Sequence, residues 1–178
     1  MPVKVKDVAA AIEAFAPLSL QEEYDNSGLN VGDYEAGVTG VLLCVDVTES
    51  VIDEALSLDA NLVVSHHPLL FHPLRQLVDA DFTQRIVRRA LLAGISLYAA
   101  HTNLDRAAGG INDVLAEVCG LHDTVGEEFL RVGNLPAPME ARELQAYLSD
   151  RLGTVVRLMG RAGQQVSRLG VSSGAGGD

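Results

Sequence analysis

Residues 61 to 68, Asn61-Leu62-Val63-Val64-Ser65-His66-His67-Pro68, constrain the fold of this chain more than any other stretch. Leu62, Val63 and Val64 are apolar without alternation, the pattern of a strand covered on both faces, as in a parallel sheet flanked by helices. Pro68 has no N–H for a neighbouring strand and holds His67 in the extended or polyproline region, so the strand stops there. Two imidazoles thus arrive at a strand's carboxyl end. Consecutive side chains on an extended backbone point to opposite sides, which favours two ions, one per histidine, over one shared ion. The competing reading is two rings hydrogen-bonded to backbone, since each ring nitrogen left unpaired in a buried setting would cost about 1–3 kcal/mol.

The flanking sequence supplies the fold class. Val5, Val8, Ile12 and Phe15 recur at helical spacing within residues 4 to 16, ahead of Pro17. Residues 24 to 32, rich in Asp, Asn, Ser and Gly, read as a tight loop. Val41 to Val45 is a second apolar strand, followed by a helix with Thr48 as N-cap and acidic residues in its first turns. Asp81-Phe82-Thr83-Gln84 resembles a capping box and opens a helix to about Ala93, with Ile86, Val87, Ala90 and Leu91 inward and Arg85, Arg88 and Arg89 on a solvated face. Ile95 to Ala100 is a third strand, and Gly109-Gly110 lead to a helix with Ile111, Val114, Leu115 and Val118 on one side. Strand, helix, strand, helix, strand, helix is the signature of an α/β fold with a mostly parallel sheet and crossover helices.

That alternation turns a list of residues into a geometry. Ligands of open parallel sheets bind beyond the carboxyl ends of the strands. Asp46, His66 with His67, and His101 with Asp105 fall at or just past such ends, so three strands bring imidazoles and carboxylates to one rim. That grouping points to a metal site. His72, beside Pro73, and His122, near a helix end, are read as solvent-facing or capping residues.

Composition excludes several classes. A formal charge of −11 disfavours non-specific nucleic-acid binding, which draws its affinity from Lys and Arg on phosphates. No apolar run approaches the roughly 20 residues of a membrane span, and the N-terminus lacks a signal-peptide pattern, so a cytoplasmic location is expected. The two cysteines, Cys44 and Cys119, form no CxxC pair and read as buried small apolar residues. Gly28-Leu29-Asn30-Val31-Gly32 lacks the lysine of a phosphate-binding P-loop.

Beyond Leu121 the texture changes. Residues 122–138 read as a connection between an α/β half over 1–121 and the beginning of a second α/β half over 139–178. The latter opens with an amphipathic helix from Met139 to Leu152 whose apolar side is Leu144, Tyr147, Leu148 and Leu152. Two strands follow, Thr154 to Leu158 and Val166 to Val171. The glycine-rich stretch from Ser172 to Gly177 then has the form of a turn that opens a helix, so the chain reads as interrupted.

Asp25-Asn26-Ser27-Gly28-Leu29, Ser65-His66-His67-Pro68-Leu69-Leu70-Phe71 and Ala100-His101-Thr102-Asn103-Leu104-Asp105, in this order and spacing, resemble the Nif-three-like family, whose bacterial members are also known as GTP cyclohydrolase I type 2. The resemblance covers nearly the whole chain and is strongest from Glu23 to Leu121. It implies a dinuclear metal centre between two α/β halves, with His66, His67 and Asp105 among the ligands, and His101 as a residue that supports a ligand or handles protons. It also implies a ring-like homohexamer with metal sites facing an internal cavity. The family's remaining ligands are a His and a Glu four residues apart near its C-terminus, and no HxxxE follows Asp105 here. Imidazole and carboxylate ligands admit two ions of Zn, Fe, Mn, Ni or Co. The reaction implied is metal-assisted hydrolysis of a purine nucleotide or another C–N bond in a small-molecule substrate; the alternative is a metal-binding scaffold or regulatory partner without turnover.

Overall fold

A computed structural model describes residues 2–126 and 128–174, and the chain divides into two compact units, Met1–Ala107 and Ala108–Asp178. The division falls ahead of the boundary expected after Leu121.

The first unit is a four-stranded sheet in the order β1-β4-β3-β2, formed by β1 (Gly28–Val31), β2 (Val41–Cys44), β3 (Leu62–Ser65) and β4 (Ser96–Ala99). β2, β3 and β4 are parallel, joined through α2 (Glu49–Ser57) and α3 (Phe82–Ala93). β3 and β4 are the covered strands that their unalternating sequence predicts. Val63 and Leu97 pack with Ile52, Ala55, Ile86 and Ala90 of the two crossover helices. Leu62 and Tyr98 face Val5 and Ala9 of α1 (Val5–Phe15) on the other side. Burying a side chain of the size of Leu62 or Ile86 stabilises by about 1.5–3 kcal/mol. The edge strand β2 is covered on one face only: Leu42 and Cys44 pack inward, while Val41, Leu43 and Val45 are exposed.

Local signals hold at the helix ends. Thr48 accepts a hydrogen bond from Val51 N at 3.2 Å, and Asp81 accepts from Gln84 N at 2.9 Å while the Gln84 side chain donates back to Asp81. The arginines of α3 lie outward as expected, Arg85 paired with Glu49 and Arg89 with Asp53. Leu91 and Phe15, expected inward, are exposed.

The larger correction is β1. The stretch expected to be a loop turns into a strand antiparallel to β4, with Gly28 opposite Ala99. Gly32, at φ +119, closes it where a Cβ would come within 2.8 Å of the Ser96 Cα.

The second unit is a three-stranded antiparallel sheet, β5 (His122–Val125), β6 (Arg131–Glu140) and β7 (Gln165–Val171), in that order. The expected connection over 122–138 is therefore mostly sheet: Pro136 and Pro138 fall where the β6–β7 register shifts between Asn134 and Met139, a place where a missing N–H breaks no ladder. α6 (Ala141–Leu152) packs Leu144, Tyr147, Leu148 and Leu152 against the core as its periodicity predicts. Residues 154–158 are not a strand; Gln145 instead holds the Val156 carbonyl at 2.8 Å. In α5 (Ile111–Val118) the buried residues are Asn112 and Ala116, and Ile111, Val114 and Val118 are exposed. Asn112 is inside because its Oδ1 takes the Ser173 N–H at 2.6 Å, a polar contact that apolar periodicity cannot anticipate. The glycine-rich turn expected to open a further helix continues into 175–178, outside the described residues. No helix of the described residues is long and apolar enough to cross a membrane.

Candidate metal centre

The parallel strands place their carboxyl ends side by side, and the functional side chains lie just past them. β3 ends at Ser65, and His66 and His67 follow in a bend rather than on extended backbone. The bend overturns the expectation that the two rings diverge: their centroids are 4.9 Å apart. β4 leads into His101, the N-cap of a short helix, α4 (Thr102–Arg106). The His101 ring lies 5.2 Å from that of His66 and 5.5 Å from that of His67. One ring nitrogen from each of these three histidines falls within 4.8 Å of the others. Asp105 N donates to the His101 carbonyl at 3.0 Å, so the two residues stand one helical turn apart. The Asp105 carboxylate is buried, with Oδ1 3.9 Å from His66 Nε2.

Hydrogen bonding settles which nitrogen of each ring carries a hydrogen. His66 Nδ1 meets the Ala100 carbonyl at 3.0 Å, His67 Nδ1 meets Asp46 Oδ1 at 2.7 Å, and His101 Nδ1 meets Asp25 Oδ1 at 2.8 Å. Carbonyl and carboxylate oxygens only accept, so each Nδ1 carries the hydrogen and each neutral ring keeps its lone pair on Nε2. A metal-ligating histidine needs the same arrangement, its second nitrogen donating to a carboxylate or backbone carbonyl. Ligands of one ion at about 2.1 Å lie up to about 4.2 Å apart, close to the spacing of these nitrogens. The donor set and its arrangement therefore fit divalent metal.

Asp46 and Asp25 enter from different directions. Asp46 follows β2, as its place in the sequence predicts, and its side chain is 65% exposed. Asp25 precedes β1, and because β1 is antiparallel to β4, its entry rather than its exit lies at this rim. The Asp25 side chain has no solvent exposure. Burial pushes its carboxyl up, but hydrogen bonds from Thr102, His101 and the Asn26 amide outweigh that and hold it below the usual carboxylate range. Sequence reasoning missed this residue because its turn composition masked a strand; the pairing of Asp25 with the motif at 101–105 was the available signal.

The mouth of the site is aromatic. Phe71 lies 6.2 Å from His101 and edge-on to Tyr24 at 6.3 Å, and both are solvent-exposed. Asn26 ties this wall down by donating to the Leu70 carbonyl at 2.7 Å. His72 is exposed beside Phe71, and His122 lies in the second unit, bonded to Asp123 and the Leu135 carbonyl; neither belongs to the cluster.

Residues 3–178 match the model of the Duf34/NIF3 (NGG1p interacting factor 3) family. A Clostridium perfringens protein described as a GTP cyclohydrolase 1 type 2 homolog is 34% identical over 99% of this chain and 71% of its own length. A Clostridium acetobutylicum protein of the same description is 43% identical over 67% of this chain, a match that spans only 45% of that relative. The crystal structure of a Staphylococcus aureus hypothetical protein superposes with a TM-score of 0.91 at 25% identity, covering 99% of this chain and 73% of the other.

Proposed function

The chain belongs to the Duf34/NIF3 family, and on that premise we propose that it acts as a metal-dependent hydrolase of the GTP cyclohydrolase 1 type 2 kind, with divalent ions held by His66, His67 and Asp105 and with His101 supporting a ligand or handling protons. The observation that carries this reading is the convergence of one ring nitrogen from each of three histidines beside the buried Asp105 carboxyl, each ring's Nδ1 being held by an acceptor oxygen. A hydrogen-bonding role alone would not gather three imidazoles so closely. The imidazole and carboxylate donors suit Zn, Fe, Mn, Ni or Co, and two ions need the family's remaining His and Glu as well. Bound there, such ions lower the pKa of a coordinated water and polarise a substrate oxygen.

The protein's own groups supply position and access. Asp105, buried, sets its carboxyl group beside His66, whereas His67 and Asp46 stand toward solvent, where a substrate enters. Phe71 and Tyr24, set edge-on to each other, offer exposed aromatic rings at the same mouth, which suits a heteroaromatic ring and so a purine nucleotide opened by water at a C–N bond. A ring-like homohexamer accompanies this reading.

Metal per chain, measured by plasma mass spectrometry on protein of verified intact mass, is expected to be weakly held on residues 1–178 alone and about two ions on a chain that also carries the family's C-terminal His and Glu. Hydrolysis of GTP by the metal-loaded protein should vanish in His67→Ala while the sedimenting species stays the same size. A chain with those residues that retains no divalent metal, or turnover that survives His67→Ala, would refute the assignment.

A further inference from the structure

The arginines of α3 have no part in the histidine cluster, yet all three turn onto one cleft. Arg85, Arg88 and Arg89, three and four residues apart on one side of the helix, line a cavity of about 350 Å³ together with Leu92, Glu49 and Asp79. Like charges at that spacing repel. Two of the three are relieved across the groove by α2: Arg85 Nε donates to Glu49 Oε1 at 3.0 Å, and Arg89 donates to Asp53 and, at 3.4 Å, to the Glu49 carbonyl. Arg88 forms no ion pair among the described residues, although Asp79 borders the same cleft. In a sequence with 24 acidic and 13 basic side chains, three cations against two carboxylates reverse the charge of the chain locally.

A second cleft lies in the same groove, toward the carboxyl ends of the strands. It has about 370 Å³ and is lined by Asp46, Thr48, His67, Pro68, Phe82 and Thr83. Thr48 and Glu49 are consecutive, and Phe82 precedes Arg85 by three residues, so the two clefts follow one another along α2 and α3. From Phe82 to Arg89 the helix rises about 10 Å. Apolar walls and two hydroxyls, with no lysine or arginine, suit an uncharged sugar. Guanidinium forks suit phosphate, whose oxygens each can take two at a time.

We propose that this groove seats the substrate's sugar and phosphates: the cleft beside His67 takes a ribose, and Arg85, Arg88 and Arg89 bind the phosphate chain of a nucleoside triphosphate. The proposal rests on reading the site as one that acts on a purine nucleotide. It adds where the charged end of that molecule lies. A ring at the aromatic mouth, a ribose past His67 and phosphates over α3 follow the order of the molecule itself. Arg85, Arg89, Glu49 and Asp53 are exposed, and ion pairs in such a setting contribute little, so the forks turn from carboxylate to phosphate readily. Until then Glu49 and Asp53 compete with the ligand. That competition sets a sign which a purely structural role does not: removing a carboxylate strengthens binding.

The test is isothermal titration calorimetry on the whole chain without metal, using GTP, guanosine and inorganic tripolyphosphate as probes. GTP is expected to bind at least about tenfold more tightly than guanosine, and added salt should weaken GTP alone. Arg88→Ala should lower GTP affinity about tenfold and leave guanosine unchanged, whereas Asp53→Asn should raise GTP affinity. No binding of GTP, equal binding of GTP and guanosine, or an unchanged GTP affinity in both Arg88→Ala and Arg89→Ala would overturn the proposal. So would tripolyphosphate binding as tightly as GTP with no binding of guanosine, which would make the groove a site for free polyphosphate. GTP bound with this dependence on arginine but left intact by the metal-loaded protein would uphold the groove and refute the hydrolase reading. GTP hydrolysed with the same KM in wild type and Arg88→Ala would do the reverse.

Discussion

Replacing Asn103 by alanine removes the side chain that ties the end of β4 to the end of α1. Asn103 is wholly buried; its Nδ2 donates to the Ala16 carbonyl at 2.7 Å, and its Oδ1 accepts from His101 N at 2.9 Å. Ala16 is itself fully buried at the C-cap of α1, so its carbonyl would find no water in exchange. Leaving such an acceptor unpaired costs about 1–3 kcal/mol. The His101 N–H loses less, because Ser27 Oγ remains at 3.3 Å as a second acceptor. With the vacated volume included, the total is about 2–4 kcal/mol. The chain has two compact units, so a global melting curve would mix their transitions. Native-state hydrogen exchange read at the β3 and β4 amides avoids this. Those amides should exchange roughly 30- to 700-fold faster in Asn103→Ala, at tenfold per 1.4 kcal/mol. Adding Ser27→Ala removes the spare acceptor, so the double variant should lose about 1 kcal/mol more than the sum of the single changes. Acceleration of less than about threefold in Asn103→Ala would refute the hydrogen-bond account of this junction.

Other outcomes follow from the same geometry. Gly32→Ala should destabilise the first unit by about 2–4 kcal/mol, as an added Cβ meets both the Ser96 side chain and its Cα; Ser96→Ala should rescue it only in part, which urea unfolding followed at β4 would show. Asp81→Ala should cost about 1 kcal/mol by removing the α3 N-cap, and amide exchange at Gln84 would report it. The His122 imidazole is held above its ordinary range by the Asp123 carboxylate and then by the Leu135 carbonyl. Its contribution to stability is therefore complete below the unfolded-state value and lost as pH rises through the folded one. An NMR titration should find its midpoint above that of a free histidine, and Asp123→Asn should lower it.

How far the sequence reaches depends on what each residue interacts with. Unalternating apolar runs, caps and the alternation of strands with helices are local consequences of sterics and burial. They determined the parallel sheet, and with it the placement of Asp46, His66, His67, His101 and Asp105 at one rim. The inward faces of α5 and α3 were read less well, because helical periodicity counts apolar residues and cannot see Asn112 satisfied by Ser173 or Leu91 left at an edge. Only the tertiary structure decided three things at the site. The bend after Ser65 swings His66 and His67 together instead of apart. An antiparallel strand hidden in turn-like residues carries Asp25 to the rim. The ring Nδ1 atoms donate to acceptors 21, 34 and 76 residues away in the chain. Local sequence sets backbone preference and so the strand ends where chemistry gathers; which atom of each side chain faces its neighbour is a property of contacts between distant segments, which exist only once the chain has closed upon itself.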